Sequence, residues 1–272
     1  MAGRYLQGND WANDWTTLPD AGDNGYIPSG LGEDVNLNLD RTGEEPDLIR
    51  IDEGYDHNIG SSGAPLKIAC DKLEVFGSGN LYYACTLDGS TARVTADVLI
   101  QCGMPGNIVE LDSVASDLGL YKRVVLTKGT LRLLGNMQWH NTDGTLRVSG
   151  LENPGDANVH IAACDTIPAF DFDSGICRAY ADITVARVGG QLTQEHGGRI
   201  GTLDIYQNGY VTYNHTGMTT CRIHSGGALD LSHVRKELTI ATVIAMPRSR
   251  IIGYDSAKHT FTAFYDYRRA YE

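Results

Sequence analysis

The chain has 272 residues, with 22 Lys or Arg against 34 Asp or Glu, which gives a formal net charge of −12 at pH 7. This acidic balance repels phosphate backbones and gives no general attraction to anionic membranes, so it argues against nucleic acid and membranes as partners. The length suits a single β domain with a sizeable core, and no stretch approaches the ~20 apolar residues of a membrane span.

The first segment, residues 1–34, is predicted to be an N-terminal arm or cap. It lacks a basic region followed by an apolar run, so we expect the chain to be made and folded in a cytoplasm. Trp11 and Trp15 stand here among Asn, Asp, Gly and Pro residues. Two roles are open for these rings: they cover the end of the domain, or they dock on a neighbouring protein.

The middle segment, residues 35–253, is predicted to be a β-solenoid domain. The chain contains 32 glycines, and short alternating apolar stretches such as 35–39 and 229–231 recur between them where helical periodicity is almost absent. Alternation of this kind is typical of strands with one buried face. The sequence therefore predicts an all-β fold made of many short strands.

One template repeats along this segment: an apolar residue, then Gly four positions later, then apolar residues at positions six and eight. It starts at Val125, Ile205 and Ile223, and a partial copy starts at Val185. The offsets of 18 and 80 residues correspond to one coil and to four coils of about 20 residues. They predict a right-handed parallel β-helix with glycine at its corners, and a β-sandwich is the alternative because residues 154–175 match the template poorly.

Candidate chemistry in this segment is sparse. Asp171 and Asp173 would share one strand face, as two carboxylates that cleave a polysaccharide must, but with 34 acidic residues such pairs arise by chance. His215, His224 and His233 recur every nine residues without a second ligand pair, and the six cysteines form no CxxC pair, so buried thiols are expected. We therefore predict no catalytic, cofactor-binding or metal-binding residues, and no enzyme activity.

The last segment, residues 254–272, is predicted to be an aromatic C-terminal tail. Aromatic residues and Arg are the favoured anchors of protein interfaces, so this tail and the two N-terminal tryptophans are the candidate docking sites. The candidates are Trp11, Trp15, Phe261, Phe264, Tyr265, Tyr267, Arg268, Arg269 and Tyr271.

A motif near the start carries a resemblance to a known group. Residues 34–43, DVNLNLDRTG, continue through 48–55 to Asn58-Ile59-Gly60. This run resembles the opening of β-solenoid virion structural proteins of tailed bacteriophages. The resemblance implies a structural role in the virion, as a decoration or cement protein that stabilises the head, or as a component of the neck or tail.

The resemblance also implies partners and a location. The partners would be the major capsid protein or other virion proteins, and the chain would form a homo-oligomer, with a trimer as one option. Synthesis would take place in the host cytoplasm before assembly into the virion. The alternative function is that of a tailspike-like or tail-fibre-like protein that binds or cleaves a glycan, for which Asp171 and Asp173 are the candidate carboxylates.

Overall fold

The computed structural model describes residues 3–19, 21–41, 43–86, 94–114, 120–140, 143–150 and 156–268. Within these ranges the protein is built from short β-strands and contains no α-helix. In chain order the strands are β1 Gly3–Tyr5, β2 Asn24–Ile27, β3 Leu48–Ile51, β4 Leu66–Ile68, β5 Lys72–Val75, β6 Leu81–Cys85, β7 Val94–Gln101, β8 Ile108–Ser113, β9 Leu120–Leu133, β10 Gln138–Trp139, β11 Thr145–Val148, β12 Ala157–Ile161, β13 Ile167–Phe172, β14 Ile176–Ala179, β15 Ile183–Val188, β16 Gln191–Gln194, β17 Ile200–Ile205, β18 Tyr210–Tyr213, β19 Gly217–Ile223, β20 Ala228–Asp230, β21 Leu238–Ala245, β22 Arg250–Ile252 and β23 His259–Asp266.

The strands stack into two parallel ladders that share the long strand β9. The first ladder runs β1, β2, β3, β5, β7, β9, β11, β13, β15, β17, β19, β21 and β23, and the second runs β4, β6, β8, β9, β12, β14, β16, β18, β20 and β22. Strands of successive coils pair within each ladder, which is the arrangement of a β-solenoid. The predicted fold class is confirmed. The β-sandwich alternative is wrong, because sandwiches are built from antiparallel strands and these pairings are parallel.

The coils are unequal in length and depart in both directions from the predicted value of about 20 residues. The coil from Phe170 to its partner Ala186 is much shorter than the coil from Val98 to its partner Val124. Ile205 pairs with Ile223, as the spacing of the template predicts. Strands β12 and β13 lie in the poorly matching stretch and continue both ladders, so the described part of that stretch belongs to the stack.

Two of the repeat assignments need correction. Partner by partner through four coils, the residue that stacks in line with Ile205 is Leu126, not Val125. Val185 pairs with Thr202 rather than with Ile205. The residue that pairs with Ile205 is Val188. Both errors have one cause: a fixed period misaligns the sequence when the connecting loops differ in length by several residues.

Glycine occupies the corners between the two ladders for the reasons expected. Gly129 bends β9 from one ladder into the other with a φ of +123°, a conformation that other residues rarely adopt. At Gly209 the backbone of the preceding coil is so close that an added Cβ would press on the carbonyl oxygen of Val188. Corner glycine therefore permits both the turn and the close stacking of coils.

The core is a continuous interior column of apolar side chains that runs through the whole stack. It extends into both terminal segments, because β1 pairs with β2 and β2 pairs with β3 at one end, and β23 pairs with β21 at the other. Strands of both terminal segments are thus paired with strands of the middle segment, and the divisions at residues 34/35 and 253/254 stay predictions. Among the described residues, no helix has the length and apolar character needed to span a bilayer.

Candidate interaction surface at the C-terminal end

The N-terminal end of the solenoid is closed by the chain itself. Residues 14–16 turn back along the outer edge of β1, where Thr16 N–H donates to the Tyr5 carbonyl at 3.0 Å and Gln7 N–H donates to that of Asp14 at 2.7 Å. The bridge between Leu6 and Trp15 in this return is antiparallel. An edge strand covered in this way cannot pair with a further strand.

Trp11 and Trp15 form the apolar part of this cap. Both side chains are buried in the core, and their rings meet edge to face with centroids 5.0 Å apart. In this conformation Trp11 is fully buried and only 7% of Trp15 is exposed, so neither ring forms an exposed docking surface. They cover the first coil, which is the capping alternative.

The C-terminal end has no such cover among the described residues. Strand β23 pairs with β21 on one side, and no described residue pairs with its other edge. Its sequence, HTFTAFYD, contains no Lys and no Pro, two residues that commonly protect an edge from further pairing. A strand of this length and composition offers backbone N–H and C=O groups to a partner.

The interior columns also end openly at this coil. Phe264 occupies the position above Cys221 and Val243, yet 42% of it is exposed to solvent. Asp266 follows Ala245 in the neighbouring apolar column, and Arg268 donates to the Asp266 carboxylate at 2.6 Å. The last rung therefore combines an exposed aromatic ring with an ion pair, where interior coils have two buried apolar residues.

The remaining aromatic candidates surround Phe264. Phe261 is half-buried, with ring centroids 4.8 Å from Tyr254 and 5.4 Å from Phe264, and the Arg268 guanidinium lies 5.6 Å from the Phe264 ring. Tyr265 and Tyr267 are exposed to 51% and 47%. The structure thus brings the described C-terminal candidates together at one end of the molecule, while Arg269 and Tyr271 lie outside the described residues.

This surface suits binding to a protein. Large aromatic side chains give much contact area for little lost side-chain entropy, and a free strand edge adds directional hydrogen bonds. The charges of Arg268 and Asp266 are paired with each other. This hydrogen bonding raises the pKa of Arg268 above its ordinary value. Asp266 was absent from the predicted docking set. It is recognisable only after the register places it on an inward column.

The proposed carboxylate pair belongs to a different feature, a charge ladder on the outer face of the first sheet. Arg147, Asp171, Arg187, Asp204 and Arg222 are successive partners in one column, so their charges alternate from coil to coil. Arg187 lies 2.8 Å from Asp171, and Arg222 lies 3.1 Å from Asp204. Asp171 and Asp204 therefore each have a partner of opposite charge on the neighbouring coil.

Asp173 and Asp171 have different arginine partners. The Asp173 carboxylate lies 3.5 Å from Arg147, in the opposite direction along the stack from the Arg187 partner of Asp171. The general acid of a glycosidase is a carboxyl group that burial or a neighbouring negative charge keeps protonated. Here each carboxylate lies beside an arginine of its own.

The histidines and cysteines occupy separate environments. His224 stacks on Tyr206 with centroids 4.7 Å apart, and burial lowers the pKa of His215. In the described ranges, no three His, Cys, Asp or Glu side chains gather as a metal site. Five thiols are buried as expected, and Cys164 is half-buried with its pKa raised to about 12 by burial.

Comparison with known proteins adds no relative. No protein-family model matches the sequence, no curated protein matches it, and no solved structure matches its fold. The function is therefore inferred from the residues of this chain and from the pattern of residues 34–60.

Proposed function

We propose that this chain is a structural component of a tailed-phage virion, most simply a decoration or cement protein that attaches to the head and stabilises it. The observation that carries the proposal is the asymmetry of the two ends: one is closed by Trp11 and Trp15, and at the other the described residues leave the outer edge of β23 without a strand partner and its aromatic rings exposed. An open end of this composition calls for a partner that buries it.

The role follows from the stiffness of the stack. A solenoid in which each coil pairs with the next transmits force along its axis, and attachment at one end leaves the other coils to project from the particle or to contact neighbouring subunits. The partner would be the major capsid protein or another virion protein that offers an apolar pocket and a strand edge to β23. Stabilisation comes from the added interface free energy.

The pattern of residues 34–60 supports the choice of a virion over other assemblies. The net charge of −12 supports a protein partner over packaged DNA, because an acidic surface is repelled by phosphates. The alternative of a glycan-cleaving spike has less support, since Asp171 and Asp173 are each paired with arginine.

The test is incorporation of a variant into particles. Tyr265→Ser/Tyr267→Ser removes the two outward rings at the open end, and we expect its copy number per particle to fall at least tenfold, because aromatic anchors carry much of an interface's binding energy. Copies per major capsid protein in purified virions are measured by quantitative mass spectrometry.

The matched control is Tyr5→Ser/Tyr206→Ser, which removes two tyrosines of similar exposure, 48% and 42%, at the closed end and on the side. It should be incorporated like the wild-type protein. Absence of the wild-type polypeptide from purified virions would overturn the virion role. Equal incorporation of the two double variants would overturn the role of the C-terminal end.

A further inference from the structure

A polar groove follows one corner of the solenoid, where strands β16, β18 and β20 of the second ladder turn back toward the first. It consists of two adjoining cavities of about 910 and 380 Å³ that share His196, Asn214, Val234 and Arg235. Cavities of this size are large enough for a small molecule. The groove is therefore a candidate ligand site on the side of the stack.

Unequal loop lengths create the groove. The coil from Cys221 to its partner Val243 is longer than the preceding coil, which runs from Leu203 to its partner Cys221. The longer coil has the loop 231–237, and this loop borders the groove together with the shorter loop 214–216. Val234 is buried and its N–H donates to the Leu231 carbonyl at 3.1 Å, so the loop is held in place rather than free.

The groove is positively charged in a chain whose net charge is −12. Arg235 and Lys236 line it and form no ion pair with any described residue, and Lys258 lies 3.6 Å from Asp255 at its margin. Glu195 is the one acidic residue among the lining residues that the structure describes. It is already bound by Arg178 at 2.7 Å, so its charge does not cancel those of the loop.

Hydrogen-bonding groups complete the lining. Thr193 and Thr212 are partners on adjacent strands, which places two hydroxyl groups in register, and Ser232 lines the same cavity. His196 Nδ1 donates to the Asn214 carbonyl at 2.6 Å, which fixes the orientation of the imidazole ring. Cations beside hydroxyl donors are the usual partners of oxyanions.

We propose that this groove binds an oxyanion, a phosphate or carboxylate group carried by a small ligand. The guanidinium of Arg235 and the ammonium of Lys236 supply the charge, and the hydroxyls of Thr193 and Thr212 supply donors to the remaining oxygens. The source of the anion is either a free phosphate or an acidic sugar, which has a carboxylate and hydroxyl groups that the wider cavity accommodates.

Binding is tested by calorimetric titration of the full chain with inorganic phosphate and, separately, with glucuronate. We expect saturable binding of at least one probe, weakened at least tenfold in Arg235→Gln/Lys236→Gln and weakened by added sodium chloride. Saturation by phosphate alone assigns a free phosphate, whereas saturation by glucuronate assigns an acidic sugar.

The matched control, Arg248→Gln/Arg250→Gln, removes the same two charges near the opposite corner, at the turn from β21 to β22, and should bind like the wild-type chain. Thr212→Val removes one lining hydroxyl while it keeps the β-branched shape, and it should weaken binding several-fold with an unchanged circular dichroism spectrum. No saturable binding of either probe, or equal losses in the two double variants, would overturn the proposal.

Discussion

At the level of single residues, Asp10 holds the N-terminal cap together. Its carboxylate accepts hydrogen bonds from the N–H of Ala12 at 2.9 Å, from the side chain of Asn13 at 2.9 Å and from Asn38 at 2.8 Å. The amide groups of Asn13 and then Asn38 lower the pKa of Asp10 below its ordinary value. One side chain thus ties the turn after Trp11 to the next coil.

Asp10→Asn should lower the melting temperature at pH 7, because an amide has one acceptor oxygen where the carboxylate has two. The folded pKa of Asp10 is depressed, so its stabilisation is present above the unfolded value of about 3.9 and is lost as the pH falls through the folded value. The difference in melting temperature between Asp10→Asn and the wild type should therefore disappear at low pH.

The control is Asp56→Asn, which removes the same charge from an exposed carboxylate near the first coils. Melting is followed by circular dichroism at pH 7 and at about pH 2.5. An equal decrease in melting temperature in both variants at pH 7 would show that the hydrogen bonds to the Asp10 carboxylate do not hold the cap. A decrease for Asp10→Asn that persists in acid would show the same.

At the level of elements, the stack is maintained by close corners and by ladders of matched residues. Successive coils approach so closely at Gly209 that a methyl group would press on the Val188 carbonyl. The alternating column from Arg147 to Arg222 adds exposed ion pairs, each worth about 0–1 kcal/mol. Backbone pairing and interior packing therefore contribute more to stability than the charges do.

Gly209→Ala should destabilise the protein by about 1–3 kcal/mol, the usual cost of forcing an extra methyl group into a packed site. Gly63→Ala is the control, because an added Cβ there has open space around it and should change stability by less than ~0.5 kcal/mol. The stability of each variant is measured from its midpoint of urea unfolding. Equal midpoints for the two variants would mean that the corner relaxes without cost.

At the level of the whole molecule, the difference between the ends decides where the stack opens first. The N-terminal coil has buried tryptophans and a covered edge, whereas β23 has one strand neighbour within the described residues and an exposed ring in its interior column. Local opening is easiest where few buried contacts must be broken. We therefore expect the coil of β23, which is also the candidate docking surface, to open more readily than the N-terminal coil.

Hydrogen exchange followed by mass spectrometry should show this order. Peptides that cover 259–266 should exchange faster than those that cover 3–16 or the interior strand at 200–205, and binding to the particle should slow them. Exchange at 3–16 as fast as at 259–266 would show that the N-terminal return does not protect its edge.

Local sequence patterns were enough to establish the fold class. Alternation at residues 35–39 and 229–231, the matched spacing of Ile205 and Ile223, and glycine at corners are local consequences of strand pleating and tight turns. The same patterns did not reveal the register of Val125 and Val185. Coils of unequal length break a fixed period, and their lengths depend on loops that carry no repeating signal.

Roles that depend on contacts between distant residues emerged from the folded chain alone. Composition made Trp11, Trp15 and Phe264 equal candidates for docking, and the fold separated them, because burial depends on which segment folds back over an end. The coil stacking likewise paired Asp171 with Arg187 and placed the loop 231–237 beside the strands that line the groove. These are contacts between coils, and no pattern within a single coil records them.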